Sequence, residues 1–360
     1  MSVERIVETI DRQEFVKRLK ARQTMKRLPI HQFDEVGDTN GKINKSFGLI
    51  EGHYIEQMYY DLLADPDNNF VTCVDECLYD QKIELEEFKK MKISSILKVS
   101  KSTQYEKRHN SSEAERSTKA ELICSRVANL YNIKTEYVAP IRNNPYGCIV
   151  VDFLSGDQQL EDFGEFTGKH PTVYNGNSSI RKWMDPFLDE ILKRAPVKDY
   201  KAKNAYVRPM MKEMVKQYIF KKYIVHDADF CSANLGIVST PDNKYMTVSP
   251  IYDFERCLLP GIRSGQGVGL EEDLRFLVKH WPGLLKSILK DFTLSSVDKQ
   301  KMKSMIKQFE PSADKAREYF NIIENSTFNF LGLSQVEFAH QGVDFESIPE
   351  DKEFIWLLNN

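Results

Sequence analysis

The spacing of apolar residues along the chain changes period several times, and each change predicts an element. From Ser2 to Lys26, Ile6, Ile10, Phe15 and Leu19 fall on one face with Arg and Lys elsewhere, which predicts a helix. Ile55 to Leu63 and Leu85 to Met91 read as helical or mixed. At Lys92 to Val99 the period shortens. Ile93, Ile96, Leu97 and Val99 bracket Lys98, and such a run predicts a strand with the lysine set among apolar neighbours. Glu113 to Tyr131 returns to helical spacing, with Leu122, Val127 and Leu130 on its inner face and Ser111 or Ser112 as candidate N-cap. Ile133 to Ile141 is extended, Asn143 to Gly147 is a turn, and Cys148 to Leu154 reads as a buried strand running out into polar sequence.

Beyond about 155 helical spacing dominates. Ile180 to Leu192 is amphipathic through Trp183, Phe187, Leu188 and Ile191, and Tyr206 to Ile224 carries Met210, Met214, Tyr218 and Ile219 inward. A methionine stripe at this spacing is ordinary core. Further helices are expected near 270–290, 296–309 and 312–325, followed by a tail over 326–360 whose aromatics, Trp356 among them, pack back.

One stretch interrupts the helical part. His226 to Leu258 contains Asp229-Phe230-Cys231-Ser232-Ala233-Asn234 and then Pro250-Ile251-Tyr252-Asp253, joined by a turn at Pro241-Asp242-Asn243 and the run Lys244 to Val248. The expected order is loop, strand, turn, strand, acidic residue. A carboxylate, an amide five residues on and a second carboxylate after a hairpin are the parts that phosphoryl transfer needs: one acid to orient the attacking hydroxyl, and oxygen ligands to hold magnesium against a triphosphate. Asp and Asn are common turn residues, so the first fragment alone means little. The two fragments in this order mean more. His226 reads as structural, and Asp227 is a second candidate base.

Composition narrows the class without changing the reading. The chain has 360 residues, is 41% hydrophobic and has a net charge of −3, so it has enough apolar residues for one large domain or two lobes and no general attraction for nucleic acid or anionic membrane. Six scattered cysteines suit reduced thiols, and Cys73-x3-Cys77 lacks the second pair that zinc would require. The N-terminus has no apolar run of signal length, and no stretch approaches the ~20 apolar residues of a membrane span. A cytoplasmic protein is expected, with later export by a dedicated system left open. Gly37, Gly41 and Gly48 lie among Asn, Ser and Lys residues, and this segment is the candidate phosphate loop or a plain surface turn; no glycine occurs from 53 to 146. Gly261 to Gly269 lacks a preceding strand and reads as a loop beside the active site, not a nucleotide fingerprint.

The segment 226–260 resembles the catalytic segment of the HipA-like kinases, whose pattern is Asp-x-His-x-x-Asn, a hairpin, then Pro-x-Tyr-Asp or Pro-x-Phe-Asp. It is closest to their small cell-translocating branch. The resemblance implies a two-lobed, protein-kinase-like α+β fold: a helical extension over 1–30, a β-rich nucleotide-binding N-lobe over 31–154 and a helical C-lobe over 155–360. It implies Asp229 as catalytic base and Asn234 and Asp253 as magnesium ligands. It also implies Lys98 as an ATP phosphate contact paired with Glu121, for which Glu113 and Glu115 are rivals. Adenine would meet backbone groups around Val151, Asp152, Phe153 and Leu154. The cofactors implied are ATP and Mg2+. The acceptor implied is Ser or Thr of a protein, the chain itself included, with Ser46 a speculative self-target. An antitoxin-type protein partner is a further implication, and direct nucleic-acid binding is not. One departure stands out: the family's His is Cys231 here, which leaves open how the loop is braced. The rival readings are a small-molecule or lipid kinase, whose sites use the same acids, and a pseudokinase acting as a nucleotide- or partner-binding module.

Overall fold

The computed structural model describes residues 34–35, 43–64, 69–74, 78, 83–100, 111–141, 144–172, 179–196, 200–258 and 269–349. The helix expected over Ser2 to Lys26, the glycine-bearing turn at 36–42, most of the loop from Gly261 to Gly269, and Trp356 lie outside the described residues. The rest form two compact units. One extends to Glu115 and resumes over Glu136–Gln158; the other comprises Arg116–Thr135 and the chain from Gln159 onward.

The first unit is built on an antiparallel sheet. Strands β1 (Asp34–Glu35) and β2 (Ile43–Glu51) pair as a hairpin, Asp34 opposite Phe47 and Glu35 opposite Ser46. A 3₁₀ turn over Gly52–Ile55 leads into helix α1 (Glu56–Ala64), and the short β3 (Phe70–Val71) follows. Helix α2 (Leu85–Lys90) then delivers the chain to β4 (Lys92–Ser100). Gly52 is required at that turn, because a Cβ there would lie 2.1 Å from the Phe88 carbonyl oxygen of α2. Helix α3 (Ser111–Leu130) and β5 (Thr135–Glu136) precede β6 (Val138–Ile141) and β7 (Asn144–Val151). The sheet order is β1-β2-β4-β7-β6. β4 is therefore central, with Lys98 opposite Lys45 of β2 and Cys148 of β7. A lysine on an edge strand facing water is thus not what the fold contains: Lys98 is only 4% exposed. Beneath the sheet, Ile50, Met58, Leu62, Phe88, Ile93 and Val151 form the unit's core.

Sequence alone groups Arg116–Thr135 with the first part, but its contacts place it in the second unit. The reason is burial: Ile123, Cys124, Val127, Ala128 and Tyr131 of α3 enter that unit's core. Lys119 of the same helix also bonds the buried Glu310 at 2.8 Å. From Gln159 the chain makes β8 (Gln159–Asp162), the short α4 (Phe163–Thr167), α5 (Arg181–Arg194) and α6 (Tyr200–Ile219), which widens into one π-helical turn, Phe220–Ile224. β9 (Gly236–Ser239) and β10 (Met246–Val248) form the expected hairpin. β8 extends it, Asp162 pairing with Gly236. The apolar pattern gives no sign of β8, because Gln-Leu-Glu-Asp is exposed or half-buried throughout. Asp162 then caps α4 reciprocally with Glu165.

Helices α7 (Leu270–His280), α8 (Pro282–Phe292), α9 (Ser296–Phe309) and α10 (Ala313–His340) complete the unit. α10 runs fifteen residues beyond the expected end at Asn325, so the start of the expected tail is helix instead. The polar Asn-Ser-Thr at 325–327 reads as a break, yet Thr327 donates to the Ile323 carbonyl at 2.8 Å and Ser334 to that of Phe330 at 2.7 Å, so both hydroxyls are satisfied inside the helix. Among the described residues no helix is long and apolar enough to cross a membrane.

An aromatic cluster holds the centre of this unit. The Trp183 ring stacks on Phe230 at 4.8 Å and lies 4.9 Å from Phe163 and 5.8 Å from Tyr218. All four are fully buried. Trp183→Ala should therefore cost about 3–5 kcal/mol by cavity formation and lost stacking. Urea unfolding followed by far-UV circular dichroism measures it, and a loss below about 1 kcal/mol would show that Trp183 is not the pillar of this core.

Candidate active site

The site is assembled by the chain leaving α6. The π-helical turn carries Lys221 inward, and His226 then reverses the backbone with φ +52°. Its ring Nε2 lies 2.8 Å from the Ser326 hydroxyl. Asp227 is buried and Asp229 is half-buried. The next residue, Phe230, is the aromatic stacked on Trp183, so the core itself fixes where Asp229 emerges. The same device recurs after the hairpin. Asp253 takes a left-handed backbone, φ +63°, and Phe254 beside it is fully buried. An acid on the surface side of a buried phenylalanine thus appears twice, and the two acids belong to one polar system.

Lys221 links them. Its Nζ donates to Asp227 Oδ2 at 2.9 Å and to the Asp253 carbonyl at 2.7 Å, with the Phe254 ring 4.9 Å away. The other oxygen of Asp227 accepts the backbone N–H of Asp229 at 2.9 Å. Burial disfavours the Lys221 ammonium, but Asp227, Cys257 and Asp253 outweigh it, and its pKa is raised. Lys222, its neighbour, faces elsewhere, bonding Tyr218 Oη at 2.7 Å and Asp273 Oδ2 at 3.1 Å.

Asn234 closes the loop onto Asp253, its amide Nδ2 donating to Asp253 Oδ2 at 3.2 Å. Cys231 Sγ donates to Asn234 Oδ1 at 3.0 Å. Burial pushes the Cys231 thiol up, which keeps it an S–H donor. The loop is tied further by Ser232 N–H to the Pro171 carbonyl at 3.0 Å and by Tyr252 Oη to the Ala233 carbonyl at 3.0 Å. Arg256 lies 3.7 Å from Asp229 Oδ2, and both are more than a third exposed, so solvent screens that pair.

Carboxylate oxygens of Glu121 from α3, Asp253 and Glu255 gather within 4.8 Å of one another. Glu121 is only 1% exposed. Three acids so close are a donor set of hard oxygens that fits magnesium, which prefers carboxylate and carbonyl oxygen; the Asn234 oxygen faces Cys231 and joins them only if the amide turns. The resemblance pairs Glu121 with Lys98; Glu121 lies on α3 in the second unit, within the acidic group, and Lys98 lies on the central strand of the first unit. Sequence reading did not assign Lys221, Glu255 or Arg256. A lysine pair inside the apolar run Ile219 to Val225, ahead of Asp227, was the available sign for Lys221.

In the first unit, Val151 ends β7 and Asp152 is fastened on both sides. Its N–H donates to the Ser94 carbonyl at 3.0 Å and its carbonyl accepts from Cys73 N–H at 2.7 Å. The Asp152 side chain accepts from Ser94 Oγ and from Leu154 N–H, each at 2.9 Å. Phe153 and Leu154 are half-buried.

His226 makes the site's surroundings sensitive to acid. Burial lowers its pKa from 6.5 to about 4, opposed by a backbone bond from Lys222. Between those values the unfolded chain binds a proton that the folded one refuses, so stability is full above pH 6.5 and is lost as pH falls toward 4. The loss amounts to at most about 3 kcal/mol. His226→Asn keeps a hydrogen-bonding amide and accepts the positive φ. The variant should show a shallower fall in melting temperature between pH 6.5 and 4.5 than the wild type; parallel curves would remove His226 as the cause.

No family model matches the chain, and no curated protein matches it. The solved structures similar to it include the following two. One is the Helicobacter pylori proinflammatory kinase CtkA, 10% identical, with a TM-score of 0.45 over 70% of this chain and 90% of that one. The other is a Shewanella oneidensis MR-1 toxin–antitoxin complex of HipA, HipB and operator DNA. The matched chain is 13% identical, with a TM-score of 0.42 over 89% of this chain and 72% of its own length.

Proposed function

We propose that this protein is a HipA-like, ATP- and magnesium-dependent phosphotransferase whose acceptor is a Ser or Thr hydroxyl of a protein, the chain itself included. The observation that carries the reading is the meeting of Asn234 with Asp253, and the tie from the Asp253 carbonyl through Lys221 to Asp227, which holds the N–H of Asp229. Asp229 is the one acid of the loop left half-exposed, and it orients the acceptor hydroxyl and takes its proton. Asp253 and Asn234 would hold magnesium, with Glu121 and Glu255 beside them. Bound magnesium supplies positive charge against the phosphate oxygens of ATP. Asp227, the other candidate base, is buried against Lys221 and serves to hold the loop.

The first unit supports the nucleotide half of the reading. β2, which follows the glycine-bearing segment in sequence, pairs directly with β4, and its Lys45 lies opposite Lys98. Lys98 would contact phosphate, and Val151 to Leu154, held at Asp152, would border adenine. By the same resemblance an antitoxin-type protein is the partner to look for, and the cytoplasm is the compartment.

Labelled ATP with magnesium, supplied with the protein alone or with casein as acceptor, tests the proposal. Asp229→Asn should reduce transfer by about 100- to 10,000-fold while nucleotide binding persists. Asp253→Asn should abolish the magnesium dependence together with the activity. Equal labelling by wild type and Asp229→Asn would reject Asp229 as base. ATP binding with no transfer to protein by the wild type would favour a nucleotide-binding module instead.

A further inference from the structure

We infer that Lys221 is a positioning residue that sets the base-bearing loop and the metal-binding segment in register, rather than a core cation that serves stability alone. The inference rests on the phosphotransferase reading and adds to it a residue that touches neither substrate nor metal. Three features carry it.

The first is geometry. Lys221 has no exposed side chain, and its ammonium spans two separate segments, donating to Asp227 Oδ2 at 2.9 Å and to the Asp253 carbonyl at 2.7 Å. Asp227 passes the constraint on, accepting the Asp229 N–H at 2.9 Å through its other oxygen. One ammonium therefore fixes the backbones of both residues whose side chains do the chemistry. The second feature is the backbone at Asp253. Its left-handed φ of +63° is unfavourable for a residue with a Cβ, and Lys221 bonds the carbonyl of that same residue. The third is the helix that carries Lys221. α6 gives way to a π-helical turn at Phe220–Ile224, a departure from α geometry that is common at functional sites. Lys222, inside the same turn, bonds Tyr218 and Asp273, so the two lysines are not interchangeable.

A purely stabilising cation and a positioning one differ in what survives its removal. Lys221→Met alone leaves the buried Asp227 charge without its ammonium, and that variant can fail to fold. The informative variant is therefore Lys221→Met combined with Asp227→Asn. It removes both buried charges, keeps an acceptor for the Asp229 N–H on Asn, and cuts the tie to the Asp253 carbonyl. The double variant of the full chain should melt within about 5 °C of the wild type. Its kcat for phosphate transfer from labelled ATP, to itself or to casein, should nevertheless fall about 100-fold with the KM for ATP little changed. Its affinity for Mn2+, read by electron paramagnetic resonance, should weaken about tenfold.

A folded double variant with kcat within about threefold of the wild type and unchanged Mn2+ affinity would overturn the inference while leaving the phosphotransferase reading intact. A wild type that transfers no phosphate to either acceptor would defeat the functional reading and this inference with it. If the double variant does not fold, Asp227→Asn alone, in which Lys221 keeps the Asp253 carbonyl, decides: the inference then requires it to retain most of its Mn2+ affinity, and a loss as large as tenfold would overturn it.

Discussion

A single ammonium without access to water governs how this site is put together. Lys221 is wholly buried, and an ion in that position persists only if its hydrogen bonds replace what hydration would supply. It has a carboxylate, a carbonyl and two aromatic faces: Asp227, Asp253, and the rings of Phe230 at 5.7 Å and Phe254 at 4.9 Å. Losing either charged partner from such a pair costs about 3–5 kcal/mol, because the other charge is left stranded. The segments bearing Asp229 and Asp253 are therefore coupled by more than proximity. Neither can shift without disturbing a charge that the fold cannot rehydrate.

The apolar side of the same design is the pair of buried phenylalanines. Phe230 and Phe254 each follow an acid and each lie fully inside the core, so burial of the ring sets the direction of the acid before it. Glu121, Asp253 and Glu255 then converge. Three carboxylates within 4.8 Å repel one another, the more so because Glu121 is almost without solvent. Such a group is able to hold a hard divalent cation, which is the use the proposed magnesium chemistry would make of it.

How much of this could be read from residues alone differs from element to element. The strand around Lys98, the helix of Glu121, the hairpin between Asn234 and Asp253 and most of the later helices follow from apolar period and turn residues. β8 does not, because a four-residue strand with no buried position leaves no alternation to detect. The full length of α10 does not, because Ser and Thr hydroxyls that read as a break are turned back onto the helix's own carbonyls. Lys221 was hidden for a related reason. A lysine between Phe220 and Tyr223 reads as a surface position on an amphipathic helix, but this helix is buried on every side from Met214 to Lys221, so its lysines are enclosed with it. Glu121 and Asp253 are each candidates from the sequence, but their meeting and the addition of Glu255 are not legible there, since the approach of α3 to Asp253 is a tertiary event.

Cys231 illustrates how such a site tolerates a change of residue. A histidine at this position of the loop would offer a ring nitrogen; the thiol offers one weak donor, and it is used on Asn234 Oδ1 at 3.0 Å. That bond alone is too weak to hold the amide. It works because the backbone around it is already fixed: Cys231 bridges to Thr172, Ser232 N–H bonds Pro171, Asn234 N–H returns to the Cys231 carbonyl at 2.9 Å, and Tyr252 bonds the Ala233 carbonyl. With the peptide path set from three sides, the side chain at 231 has only to choose which end of the Asn234 amide faces Asp253. Here the thiol pairs with the amide oxygen and the NH2 points at the Asp253 carboxylate, so the amide must turn its oxygen round to join Asp253 on a metal. The place of Asn234 is thus set by the loop's backbone bonds more than by the side chain at 231.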